Sequence, residues 1–243
     1  MAGYVIHPLV CGLNATDQGI MTYLRGYGKA IHIPVYVWVL TGGEQVIIID
    51  SGLEDFVIPE GLEEKLGVKA EYFEDGLARL GYKPEDVEII IHTHLHNDHC
   101  ENDRLCAGAK IYAQQAEIDF MNAPHPLDHR YDSEYLDGCN VIGLRGGAEL
   151  APGVRVLPTP GHSPGGQSVV VDTKGAGRVL ITGFCCNEGN FPAAGPAVCP
   201  GVHTDALQAW DSANQVKQML AVGEIDLIVP CHALWPARQG SIG

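Results

Sequence analysis

The segment His92-Thr93-His94-Leu95-His96-Asn97-Asp98-His99 puts five ligand-capable side chains into eight positions. Imidazole and carboxylate are the common ligands of zinc and iron, and a catalytic site keeps one coordination position for water. The apolar run Val87 to Ile91 leads straight into the cluster, and a turn at a strand end aims alternate side chains at one point. The plainer reading, a His-rich polar surface loop, loses ground because histidines recur at later strand ends. His162 sits in Thr159-Pro160-Gly161-His162-Ser163-Pro164-Gly165-Gly166 after the run Val154 to Leu157, and His232 closes Val229-Pro230-Cys231-His232 after another apolar run. Gly161-His162-Ser163-Pro164-Gly165 also fits a G-x-S-x-G nucleophile elbow. The residue after its serine is a proline, which has no N–H for an oxyanion hole, and a strand rather than a helix follows, so a serine nucleophile is rejected.

The elements that must carry these residues read as follows. Residues 33–40 and 45–50 are β-rich runs joined by a Thr41–Glu44 hairpin turn, and their continuous Val/Ile content suggests burial on both faces. Residues 70–80 have helical apolar spacing stopped by Gly81. Val87 to Ile91 and Lys110 to Ala113 predict strands, and Gln114 to Met121 a helix. Residues 122–150 are rich in Asn, Pro, His, Asp and Gly and predict a long loop or lid with little regular structure. Strands follow over Val154–Leu157, Ser168–Asp172 and Val179–Thr182, then a loop from Cys185 to Val202. A helix over Asp205 to Val222 has Thr204 as its expected N-cap and Gly223 as its stop, and Ile225–Val229 is a last buried strand. No linker separates domains, so residues 1–243 are expected to form a single domain.

The charge balance narrows the partners. Lys plus Arg is 15 and Asp plus Glu is 30, a formal charge of −15. Nucleic acid and anionic membrane surfaces both require positive charge, so neither is expected as a partner, and nuclease chemistry is disfavoured. No apolar run reaches the roughly 20 residues of a membrane span, and the first residues lack a basic-then-apolar signal pattern. A cytoplasmic location is therefore expected, and the Asn14-Ala15-Thr16 sequon carries no weight. The eight cysteines, none in a C-x-x-C pair, read as reduced thiols rather than disulfides or a structural zinc ribbon. A small-molecule substrate is the expected partner, with a homodimer as an option.

The pattern His94-x-His96-x-Asp98-His99, then His162 in TPGHSPG, then His232 after a C-terminal strand, resembles the metallo-β-lactamase superfamily. Asp50-Ser51-Gly52 resembles its early D-x-G element, which supports the site from behind. The segments IPVYVWVL, IIIDSG, HTHLHNDHC, TPGHSPGGQS and VPCH are most similar to the N-acyl homoserine lactonase branch. The resemblance implies an α+β fold, a four-layer αββα sandwich with the metals at one edge. It implies His94, His96 and His162 around one divalent metal and Asp98, His99 and His232 around another, with zinc first and iron or manganese as alternatives. It further implies a hydrolase in which a metal-bound hydroxide opens a small lactone or related ester or amide. The resemblance also implies Asp98 as the catalytic residue that orients the water and passes a proton to the leaving oxygen.

Two departures keep alternatives open. Phe184 stands where the family carries a metal-bridging Asp, and the next carboxylate is Glu188. A one-residue shift would bring in Cys185 as a soft thiolate ligand; the other readings are a one-metal site and a structural cysteine pair. No Tyr stands between Cys185 and Phe191, where the lactonase branch has one. His125, His129 and Tyr131 could line a pocket, although a solvated loop is the preferred reading, and Cys100 and Cys231 read as thiols behind the ligands. The competing functions are a mononuclear iron or zinc enzyme of sulfur or redox chemistry, with Cys185 replacing the Asp, and a metal-binding protein without catalysis.

Overall fold

The computed structural model describes residues 3–243. Two β-sheets form its centre. The first has six strands in the order β1 (Val5–Asp17), β2 (Ala30–Thr41), β3 (Val46–Ile49), β4 (Val87–Ile91), β5 (Lys110–Gln114) and β6 (Asn140–Leu144). Pairing is antiparallel from β1 to β3 and parallel from β3 to β6. The second sheet runs β11 (Leu227–Val229), β10 (Arg178–Ile181), β9 (Gln167–Asp172), β8 (Val154–Pro158) and β7 (Ala148–Ala151).

Successive side chains on a strand point to opposite faces, and three apolar layers follow. Tyr36, Trp38, Ile47, Ile49, Ile89 and Ile91 of the first sheet pack with Val154, Val169, Val179 and Val229 of the second between the sheets. On the outer face of the first sheet, Val37, Val39, Ile48 and Ile90 meet Phe73 and Leu77 of α3 (Phe73–Arg79). On the outer face of the second, Val170, Leu180 and Ile228 meet Ala213 and Val216 of α6 (Ala206–Ala221). Helix, sheet, sheet and helix thus stack as the expected αββα sandwich. The shorter helices α1 (Gln18–Met21), α2 (Leu62–Leu66), α4 (Asn97–Cys100), α5 (Gln115–Asn122) and α7 (Trp235–Gln239) lie in the connections.

Three sequence expectations are corrected. Residues 122–150 are not one loop, because β6 and β7 lie within them; both strands are only partly buried, so their apolar pattern is weak. The N-cap of α6 is Asp205, not Thr204. Asp205 accepts from the N–H groups of Leu207 and Gln208, a cap worth about 1 kcal/mol, while Thr204 turns its hydroxyl and N–H to the Gly161 carbonyl. β1 has no counterpart in the sequence reading. It carries Pro8, Gly12 and Asn14 and shifts register between Val10 and Leu13, which breaks the alternation that would reveal a strand.

Candidate metal centre

His94, His96, His99, His162 and His232 follow strand ends on one edge of the sandwich, whereas His125 and His129 lie in the connection between α5 and β6. The turn between β4 and α4 holds His94 and His96, and α4 itself holds Asp98 and His99. His162 lies in the β8–β9 connection and His232 directly follows β11. The β8–β9 turn is braced by the start of α6. Gly161 has φ +122°, and a Cβ there would lie 2.1 Å from the backbone nitrogen of Ala209, so only glycine fits. The N–H groups of Thr204 and Asp205 close the brace on the Gly161 carbonyl.

Donor atoms of His94, His96 and His162 lie within 4.8 Å of one another, and so do those of Asp98, His99 and His232. The imidazole rings pack closely: the His94 and His99 centroids lie 4.0 Å apart with the rings tilted, and those of His94 and His162 4.8 Å apart edge-on. The hydrogen bonds decide which ring nitrogens are free. The Nδ1 of His162 lies 2.8 Å from the Val202 carbonyl, and that of His232 2.8 Å from the Pro34 carbonyl. A carbonyl only accepts, so Nδ1 carries the proton and Nε2 keeps its lone pair. His99 Nδ1 donates likewise to Asp50 Oδ2 at 2.7 Å. The buried Nε2 atoms of His96 and His99 have no hydrogen-bond partner. Buried polar atoms without partners are rare and call for an explanation. Imidazole lone pairs converging with a carboxylate fit a divalent ion of the zinc type.

Electrostatics agree with that assignment for the first triad; in the second, burial opposes the charge of His232 but the neighbouring Cys231 and Cys185 raise it well above the ordinary histidine range. Burial and the neighbouring imidazoles push His94 well below the ordinary histidine range, and burial does the same for His162. His96 is also lowered, by burial. His99 goes the other way: burial opposes its charge, but the carboxylates of Asp98 and Asp50 raise it. Burial would raise Asp98, yet the facing His99, His232 and His96 hold it below the usual carboxylate range.

A cavity of about 600 Å³ opens onto both triads, walled by Ile20, Met21, Ile33, Leu127 and Val202. Phe184 does not face it. The ring is 1% exposed and packs with Val170, Leu180 and Ala213 in the layer beneath α6. Cys185 faces the cavity instead, beside His232, with Sγ 3.8 Å from Met21 Sδ. Burial raises its thiol. It belongs to neither of the two donor groups. Cys100 and Cys231 are buried, and Cys231 Sγ lies 3.0 Å from the Phe184 carbonyl. Of the three loop candidates, His125 and His129 are exposed, but His129 lines the site cavity and His125 a neighbouring one. The Tyr131 ring stands edge-on to His96 at 4.7 Å.

Three residues around the site have no sequence signal. Asp103 Oδ2 lies 2.6 Å from His92 Nε2 in a fully buried pair. Asp128, held by two 2.7 Å bonds to Arg130, stands 3.7 Å from His96 Nε2. Glu117 is fully buried beneath the His96 and His162 turns. Each meets its partner only through the tertiary fold.

Known proteins carry the same frame. An N-acyl homoserine lactonase of Bacillus cereus is 35% identical over 170 residues, 64% of this chain and 65% of that one, so the aligned region spans just under two thirds of its length. A structure of an N-acyl homoserine lactone hydrolase with N-hexanoyl-L-homoserine bound at its catalytic metal centre superposes with a TM-score of 0.79 at 26% identity, covering 98% of this chain and 97% of that one. A B. thuringiensis enzyme variant with N-decanoyl-L-homoserine at its active site gives the same score, identity and coverage. The pattern of the metallo-beta-lactamase superfamily matches residues 31–232, and the chain belongs to that superfamily.

Proposed function

We propose that this protein is a metal-dependent hydrolase that opens a small lactone or a related ester. The observation that carries the reading is two three-residue donor groups, five of whose six members line one cavity, with ring tautomers that leave Nε2 free. Similarity to lactone hydrolases supports the substrate class.

The ligands are His94, His96 and His162 on one side and Asp98, His99 and His232 on the other. A divalent ion held there, zinc by preference, supplies Lewis acidity that acidifies water and polarises an ester carbonyl. The chain's own residues do the rest. Asp98 is kept ionised by its three imidazole neighbours, so it can accept the proton of the attacking water and return it to the leaving alkoxide oxygen. The net change is addition of one water across the acyl C–O bond. The apolar wall of Ile20, Met21, Ile33 and Val202 excludes bulk water from the substrate. The chain works as one domain. No helix among the described residues is long and apolar enough to cross a membrane, and the eight unpaired thiols support a reducing, cytoplasmic setting.

A second reading rests on Cys185, which offers sulfur to the cavity where the family carries a carboxylate. A single iron or zinc with thiolate character would suit sulfur or redox chemistry. One experiment separates the two: metal quantification on protein purified without added metal, beside a panel of lactones, linear esters, thioesters and amides. Two equivalents of zinc with lactone turnover is the expected result. One equivalent of iron, with a colour change on oxidation and no turnover of the panel, would reverse the order.

A further inference from the structure

Glu117 lies in the first turn of α5 and is fully buried. Its carboxylate reaches three separate segments. Oε1 accepts from the N–H of Leu95 at 3.0 Å and from the hydroxyl of Tyr131 at 2.8 Å, and Oε2 accepts from the N–H of Gly165 at 2.8 Å. Leu95 stands between His94 and His96. Gly165 is three residues beyond His162 in the β8–β9 turn, and Tyr131 leans on the His96 ring. The approach is tight at the β8–β9 turn: a Cβ on Gly165 would lie 2.3 Å from the Glu117 nitrogen.

We infer that Glu117 is a positioning residue for the His94/His96/His162 triad, acting through the backbone of both turns that carry it. This rests on the metal-site reading above and extends it to a residue that touches neither metal nor substrate. The chemistry explains the residue type. All three partners donate to it, so the group between them must accept at both ends. Glutamine has one acceptor oxygen; its NH2 would face either the Leu95 and Tyr131 donors or the Gly165 N–H, leaving a buried donor unpaired. Asp98, His99 and His232 make no hydrogen bond to Glu117; Asp50 backs His99 instead. Glu117 thus braces the turns of the first triad only, while Asp50 backs His99 directly and His94 through Thr93, and loss of Glu117 should weaken the first triad and spare the second.

The test measures zinc affinity by chelator competition in two backgrounds. His232→Ala leaves the first triad intact, and His162→Ala leaves the second. Adding Glu117→Gln is expected to weaken zinc by about 10- to 100-fold in the first background and by less than about 2-fold in the second, and to shift the cobalt(II) absorption bands in the first alone. A purely structural role would lower both affinities together. Equal losses in the two backgrounds, or no loss in the first, would overturn the inference. If Glu117→Gln does not yield folded protein, Glu117→Asp keeps the charge but shortens the reach, and the same selective loss is expected. Failure of the unsubstituted chain to bind zinc would instead remove the functional reading, and this inference with it.

Discussion

Asp50 and Thr93 are joined twice: the Thr93 N–H donates to Asp50 Oδ1 at 2.8 Å, and the Thr93 hydroxyl to Oδ2 at 2.7 Å. The threonine thereby spends its only hydroxyl proton, so its oxygen can only accept from His94 Nδ1, 3.0 Å away. The same Oδ2 takes the Nδ1 proton of His99. One carboxylate thus fixes the tautomer of a ring in each triad. Its backbone is bent to do so, with φ +57° at a residue that is not glycine.

Asp50→Asn tests this arrangement. With its amide oxygen on the Thr93 N–H, its NH2 faces His99 Nδ1 and drives the ring proton to Nε2, the nitrogen needed for metal. We expect metal affinity to fall by about 10- to 100-fold, with an unchanged far-UV circular dichroism spectrum. An affinity matching the parent protein would show that His99 is oriented by something else.

Cys185 decides metal preference if it reaches the ion. Cys185→Ser should lower zinc affinity by about tenfold, and Cys185→Asp should raise manganese(II) relative to zinc, because a carboxylate is the harder ligand. Parallel titrations of the two metals check this. Indifference of both variants would make Cys185 a wall of the cavity and no more.

Metal removal should also be visible in stability. A ligand that binds only the folded state at a free concentration about 100 times Kd adds about 2.7 kcal/mol, or roughly 5–10 °C in Tm for a chain of this length. Thermal unfolding before and after dialysis against a chelator measures it; coincident curves would contradict tight binding.

Asp103→Ala strands the fully buried His92 that it pairs with at 2.6 Å. Breaking such a pair costs about 3–5 kcal/mol, and urea unfolding of metal-free protein should show it. The strand that feeds the site should loosen with it, since the His92 carbonyl also accepts from Gln167 Nε2 at 2.7 Å.

The six candidate ligands were legible because they follow apolar strands, and strand ends on one edge of a sandwich converge. Asp50 was legible through the resemblance of Asp50-Ser51-Gly52 to the family's D-x-G element. Glu117 was not: it reads as one polar residue of a short helix, and its partners lie 14, 22 and 48 positions away. Phe184 and Cys185 show a second limit. Spacing along the chain names the position after β10, but only the backbone path decides that Phe184 enters the core and Cys185 the cavity.

Each triad draws two members from the first sheet and one from the second: His94 and His96 with His162, Asp98 and His99 with His232. Cut between β6 and β7, the chain would give one piece with His94, His96, Asp98 and His99 and another with His162 and His232, so neither would hold a complete triad. On the proposed reading the site is a property of the seam where the two sheets meet, and reassembly of separated pieces would be reported by metal binding.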